Sequence, residues 1–286
     1  MVVLQFVQMI VTYTFIPFKK TFSFIKIKIL KGHTAPIRGF SQIDEHHLAS
    51  CSINEIIIWL VSYNSFKIEH KYQTQEDNYF LCVISLTKNR IASVREDKSI
   101  SIFTSNFPYK LITSLKEKEE LTTSLIQLEK EEKLVSGLRY KGIINFWNTD
   151  TFQCETSVMI KDKENKPILV DEFVRLSNNR IFISSDKSLY IINTNTYQVI
   201  QSFVGDYPFH YGFAIIPTRD ENILWGTLSC NLFLYEVKTN TREYILDSYC
   251  EDENDYINGI SLIDYSHFVV GVCTIQRKSA LYVFEY

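Results

Sequence analysis

The amino-acid sequence predicts an all-β fold assembled from one four-strand unit repeated about six times. Three observations predict it: a composition rich in aromatic and β-branched residues, two apolar landmarks that recur together, and a strand-like segment after each second landmark.

Of the 286 residues, 14% are aromatic, with 20 Phe, 17 Tyr and 3 Trp. Together with many Ile, Val and Thr they suit a pleated, half-buried surface better than a helix. Only 9 Gly and 6 Pro punctuate the chain, so its turns lean on Asn, Asp, Ser and Lys, as in Thr194-Asn195-Thr196 and Thr239-Asn240-Thr241. A chain with 45% hydrophobic and 22% charged residues has ample material for a core. Its length allows one domain or two.

The repeat is clearest in HLASCSINEIIIWLV, residues 47–61: a strand, a short polar turn, and a second strand closing on an aromatic. Further copies begin at Arg90, Lys133, Arg180, Asn222 and His267. Their starting residues are Leu48, Ile91, Leu134, Ile181, Ile223 and Phe268, and their closing residues are Trp59, Phe103, Trp147, Ile192, Tyr235 and Phe284. Both series keep a spacing of 42 to 49 residues, so chance alternation does not explain them. An apolar anchor shortly before each start, such as Ile43, Leu86 or Leu176, marks the end of an earlier strand. A further strand-like segment follows, such as FKIEHKYQ from Phe66 or YQVIQSFV from Tyr197. Each unit is therefore a four-stranded meander. One such sheet cannot bury both faces, whereas a ring of them, a β-propeller, buries every face against a neighbour.

Gly32-His33, then Ile37, LASCS and Trp59, resembles the repeat of the WD-repeat β-propeller family, which runs from Gly-His to Trp-Asp. The resemblance extends through residues 22–286; it implies about six four-stranded blades, or seven if one is degenerate. Leu60 stands where Asp is usual, and Trp147-Asn148 and Tyr235-Glu236 come nearest to a Trp-Asp ending. In this family a structural hydrogen-bond set links His, a Ser or Thr, an Asp of the following turn, and Trp. The resemblance implies His33, Ser50 or Ser52, Asn54 and Trp59 for the first repeat, with Asp97 at the matching turn of the second and Phe103 in place of Trp. It also implies that FSFIKIKIL, residues 22–30, completes the last blade by pairing with Ser279–Tyr286, closing the ring. The expected organisation is an apolar extension over residues 1–21 and a propeller domain over 22–286. The extension has the β-branched and aromatic content of a strand and falls short of the ~20 apolar residues of a spanning helix; a loose tail and a targeting role stay open.

A formal net charge of −3 and the lack of a long Lys/Arg cluster argue against nucleic acid as partner. The six cysteines are scattered singly, with no metal-ligand spacing, as expected of reduced core thiols in a cytoplasmic protein. No phosphate-loop, nucleophile-elbow, zinc-protease or calcium-loop motif occurs, so neither catalytic residues nor a cofactor are expected. The remaining candidates are loops. Turns between the second and third strands, and connections between units, fall on one face; they carry Arg95, Lys98, Arg139, Tyr140, Lys141, Arg277 and Lys278 against Glu76, Asp77, Glu117, Glu119, Glu120, Asp206 and residues 251–255. Arg38, Arg95, Arg139, Tyr140 and Arg277 are the expected protein-binding rim, since Arg and Tyr are enriched at interface hot spots. The expected function is a non-catalytic scaffold binding proteins or peptides. The alternatives are an enzyme working at the channel mouth and a structural subunit of a large assembly.

Overall fold

The computed structural model describes residues 32–285 apart from 36, 62–65, 75–77, 118–119, 121, 129, 131, 186–187, 205–213, 219, 227–231, 247–255, 263–266 and 274–278. These residues form 23 strands. The first sheet comprises β1 (Ile37–Gln42), β2 (His47–Ser52), β3 (Glu55–Val61) and β4 (Phe66–Gln73), and the second β5 (Ile84–Leu86), β6 (Arg90–Val94), β7 (Ser99–Thr104) and β8 (Leu111–Lys116). The third holds β9 (Thr122–Leu128), β10 (Lys133–Leu138), β11 (Ile143–Asn148) and β12 (Cys154–Met159). The fourth holds β13 (Glu172–Leu176), β14 (Arg180–Ser184), β15 (Ser188–Asn193) and β16 (Val199–Val204), and the fifth β17 (Ala214–Pro217), β18 (Ile223–Gly226), β19 (Leu232–Glu236) and β20 (Thr241–Leu246). A three-stranded sheet of β21 (Tyr256–Leu262), β22 (His267–Cys273) and β23 (Ser279–Glu285) follows. All are antiparallel meanders with neighbours in chain order. The expected strand over residues 22–30, and with it the closing seam, lies outside the described residues.

The two sequence landmarks are cross-strand partners. Leu48 stands opposite Trp59, Ile91 opposite Phe103, Leu134 opposite Trp147, Ile181 opposite Ile192, Ile223 opposite Tyr235 and Phe268 opposite Phe284. One such pair occurs in each sheet, which is why the two series share a period. In each of the first four sheets the outermost pairing carries a bulge immediately before the closing residue. The extra residues on the outer strands are Glu69, Ile112, Glu155 and Ile200. Two of them reach back across their sheets: Glu69 Oε2 lies 3.1 Å from His47 Nε2, and Glu155 Oε2 lies 3.7 Å from Lys133 Nζ.

Turn chemistry repeats as well. Thr87-Lys88-Asn89-Arg90 and Ser177-Asn178-Asn179-Arg180 are tight hairpins whose central residues have φ of 62° and 53°, and of 57° and 56°. That left-handed pair suits the twist of the flanking strands, and Asn tolerates it at little cost. The arginine closing each turn donates Nε to the turn's first carbonyl, at 3.0 Å in one and 3.1 Å in the other. At the third and fourth outer hairpins, Asn148 and Asn193 each accept two backbone N–H bonds from the following turn, all at 2.9 to 3.0 Å.

The described residues fall into two compact units, 32–159 and 160–285. In the first, Ile56, Ile57 and Ile58 are consecutive and all fully buried, so both faces of the β3 sheet are covered. Ile91 and Phe103 of the second sheet pack on Ala49, Cys51, Ile56 and Ile58 of the first, while Ala92 and Ile102 face Leu125, Leu134 and Trp147 of the third. In the second unit Phe182, Leu189 and Ile191 of the fourth sheet meet Trp225, Phe233 and Tyr235 of the fifth. Sequential sheets within a unit therefore stack face to face, and each such buried Ile contributes about 2 kcal/mol of transfer free energy.

Candidate interaction surface

Buried polar groups tie the segments that precede the first and third sheets to those sheets. In the first sheet Ser50, wholly buried, receives the Trp59 Nε1–H at 2.8 Å and lies 2.6 Å from His33 Nε2. His33 Nδ1 faces Glu55 Oε1 at 3.3 Å, and Lys71 Nζ bonds Glu55 Oε2 at 3.1 Å and the Gly32 carbonyl at 2.9 Å. Burial holds the His33 imidazole below its usual pKa, against the pull of Glu55. A neutral ring with its proton on Nδ1 orders the chain: Trp59 donates to Ser50 and Ser50 to His33 Nε2, while the Nδ1–H faces Glu55 Oε1 at 3.3 Å without hydrogen-bond geometry. Glu55, and not Asn54, is the side chain that faces His33. Asn54 instead accepts from Ser52 Oγ at 2.9 Å and donates to Thr34 Oγ1 at 3.2 Å. An acid, a histidine and a serine in line also describe a hydrolytic triad, but Ser50 is wholly buried and its oxygen already accepts the indole N–H.

The third sheet repeats the arrangement with different letters. Trp147 Nε1 donates to Ser136 Oγ at 2.9 Å, and Ser136 Oγ donates to Glu117 Oε1 at 2.5 Å. Asn145 Nδ2 donates to Glu117 Oε2 at 2.7 Å, and Thr122 Oγ1 reaches Oε1 at 3.4 Å. Glu117 therefore stands in the connection before its sheet where His33 stands before the first. The repeat pattern predicts Glu117 on the solvated rim; it is only 6% exposed. Burial pushes its carboxyl pKa up, and the three hydrogen bonds offset this in part. In the second sheet Phe103 has no donor to offer, and Ser93 Oγ bonds the Cys82 carbonyl at 2.5 Å. Asp97 caps its own turn, accepting from Ser99 N at 3.0 Å and from Asn78 Nδ2 at 2.8 Å; these bonds hold its carboxyl pKa low despite partial burial.

The rim residues have unequal freedom. Arg95 Nη2 donates to Thr74 Oγ1 at 2.7 Å, and its guanidinium sits 5.2 Å above the Phe80 ring, so this side chain ties the β4–β5 connection to the β6–β7 turn. Arg139 lies 5.4 Å from the Tyr140 ring centre. Tyr140 is 65% exposed, while its backbone N–H is held by the Glu120 carboxylate at 3.1 Å. Arg38 is exposed on β1. Arg277 lies outside the described residues. Beside the Arg139–Tyr140 turn a cleft of about 250 Å³ opens, lined by Lys116, Glu117, Leu138, Ile143, Asn145, Trp147, Cys154 and Ser157. No motif announced it.

No family model and no curated protein matches the chain. Among the described residues no helix is long and apolar enough to cross a membrane, and no cluster of His, Cys, Asp or Glu is placed to hold a metal ion.

Proposed function

We propose that the chain is a divergent WD-repeat β-propeller whose sheets close into one ring, and that it serves as a scaffold for other proteins. The shared hairpin register of the six sheets and the Trp–Ser pairs of the first and third support the first part. The pairing expected of residues 22–30 with β23 would close the ring, and removing residues 1–30 should then sharply lower stability. A truncated chain that melts with the full one would move the seam.

One observation carries the second part: Tyr140 projects into solvent from a turn whose backbone is fixed by Glu120, with Arg139 beside its ring. A rigid aromatic with a polar tip, next to a guanidinium fork, is a ready anchor for a partner segment bearing carboxylates. Partners captured from a lysate by the intact chain, then measured singly, should bind Tyr140→Ala and Arg139→Ala at least tenfold more weakly, as for an interface anchor worth about 2 kcal/mol. Undiminished binding by both variants, folded as wild type, would remove the rim from the interface.

A further inference from the structure

The first and third sheets each bury a glutamate at the polar node, and the two differ in their counter-charge. Glu55 has Lys71 Nζ at 3.1 Å and His33 Nδ1 at 3.3 Å. Glu117 has, among the described residues, only the neutral donors Ser136, Thr122 and Asn145. A carboxylate that keeps little contact with water and bonds no cation is costly. It also presents about four acceptor positions, of which these donors fill three.

Register explains the difference. On β4, Lys71 stands opposite Ile57, two residues before Trp59. On β12, Ser157 stands opposite Asn145, two residues before Trp147. Serine thus occupies in the third sheet the register position that lysine holds in the first. Ser157, Asn145, Trp147 and Glu117 all line the cleft of about 250 Å³, together with the apolar side chains of Leu138 and Ile143. Its walls suit a methylene stem, and an acid in its lining suits an ammonium.

We propose that this cleft receives a lysine side chain of a partner protein, whose ammonium pairs with Glu117 as Lys71 pairs with Glu55. The proposal rests on the scaffold reading and names what the partner brings. Lys116 also lines the cleft and is exposed, and Arg139 lies in the adjoining turn, so the favoured lysine is one flanked by acidic residues.

The test uses the full chain and n-butylammonium as the lysine probe, reading alkylation of Cys154, which is exposed and borders the cleft, by peptide mass spectrometry. Cys51 and Cys82, whose thiols burial pushes up to about 12 and about 11, serve as slow internal references. Butylammonium should slow Cys154 alkylation saturably, and n-butanol, matched in shape but uncharged, should be roughly tenfold less effective. Glu117→Gln should lose the difference between the two. Ser157→Lys sets a lysine at the register position of Lys71; it should melt higher than wild type and abolish the response to butylammonium, read as the ratio of rates with and without the amine. Equal protection by butanol, no protection at all, or a response retained in Ser157→Lys would each overturn the proposal. Because no partner protein enters this assay, it can fail while the Tyr140→Ala result stands, and the reverse.

Discussion

Removing one oxygen, in Ser50→Ala, is the most direct test of how the first sheet is held. Ser50 Oγ serves Trp59 Nε1 at 2.8 Å and His33 Nε2 at 2.6 Å, and none of the three side chains has water to fall back on, since Ser50 is wholly buried and Trp59 is 2% exposed. The void left by a hydroxyl is smaller than the ~10–15 Å³ of probe-occupied volume a water molecule requires. The two stranded groups, Trp59 Nε1 and His33 Nε2, cost about 1–3 kcal/mol each, so the variant should lose roughly 2–6 kcal/mol. Urea unfolding followed by tryptophan fluorescence reads this as a lower midpoint with an unchanged slope. The double variant Ser50→Ala with Trp59→Phe removes donor and acceptor together, and should fall short of the summed single losses by about 1 kcal/mol or more. A Ser50→Ala protein within about 0.5 kcal/mol of wild type, or strict additivity of the pair, would refute the claim that this node stabilises the sheet.

Gly32→Ala should be destabilising by about 1–3 kcal/mol, because the added Cβ would lie 2.7 Å from Trp59 Cη2 and 2.9 Å from Ile68 Cδ1; thermal melting checks it. Burial, with the neighbouring Asp171 charge, lifts the Glu172 carboxyl from its usual 4.5 to about 8. The folded state then binds this proton more tightly than the unfolded one. Its contribution is fully present below pH about 4.5 and is lost as pH rises toward 8, so Glu172→Gln should flatten the fall of melting temperature over that window. Arg95→Ala should cost about 1–2 kcal/mol through the lost Thr74 bond and Phe80 contact, whereas Tyr140→Ala should stay within about 0.5 kcal/mol, both by denaturant midpoint.

Legibility in the sequence followed what each signal depends on. The landmark pairs such as Leu48 and Trp59 were visible because cross-strand partners in a short hairpin stay close in sequence, 11 to 13 residues apart in the first five sheets and 16 in the last, and inward-facing positions admit few residue types. Turns such as Thr194-Asn195-Thr196 were visible because a short polar side chain, here Asn193, accepts their backbone N–H groups. Glu55 and Glu117 were not. Each node needs acceptors at points in space, and a long carboxylate side chain reaches one from a strand start behind His33 in the first sheet and, in the place of His33, from a connection in the third. Asn54, one residue from Glu55, held the expected place in the motif while its neighbour took the contacts. The cleft was hidden for a related reason: Ser157 is unremarkable by itself and gains meaning only opposite Asn145, once its register can be compared with that of Lys71. Arg95 was legible as a rim residue, but its bond to Thr74 was not, since that depends on where the preceding connection runs.

The bulges on the outer strands bear on self-association. A sheet edge offers unpaired backbone groups to any passing strand, and a flat edge of β-branched residues is the usual seed of aggregation. On β4, β8, β12 and β16 the extra residue sharpens the local twist at one end of that edge and breaks its spacing. Glu69 and Glu155 add a charge there, whereas Ile112 and Ile200, 37% and 51% exposed, do not. On β8 and β16, then, irregular backbone geometry carries a protective role that on β4 and β12 is shared with a carboxylate. Excising Ile112 or Ile200 would straighten an already apolar border, and those two strands are where the chain would first begin to stick to its own copies.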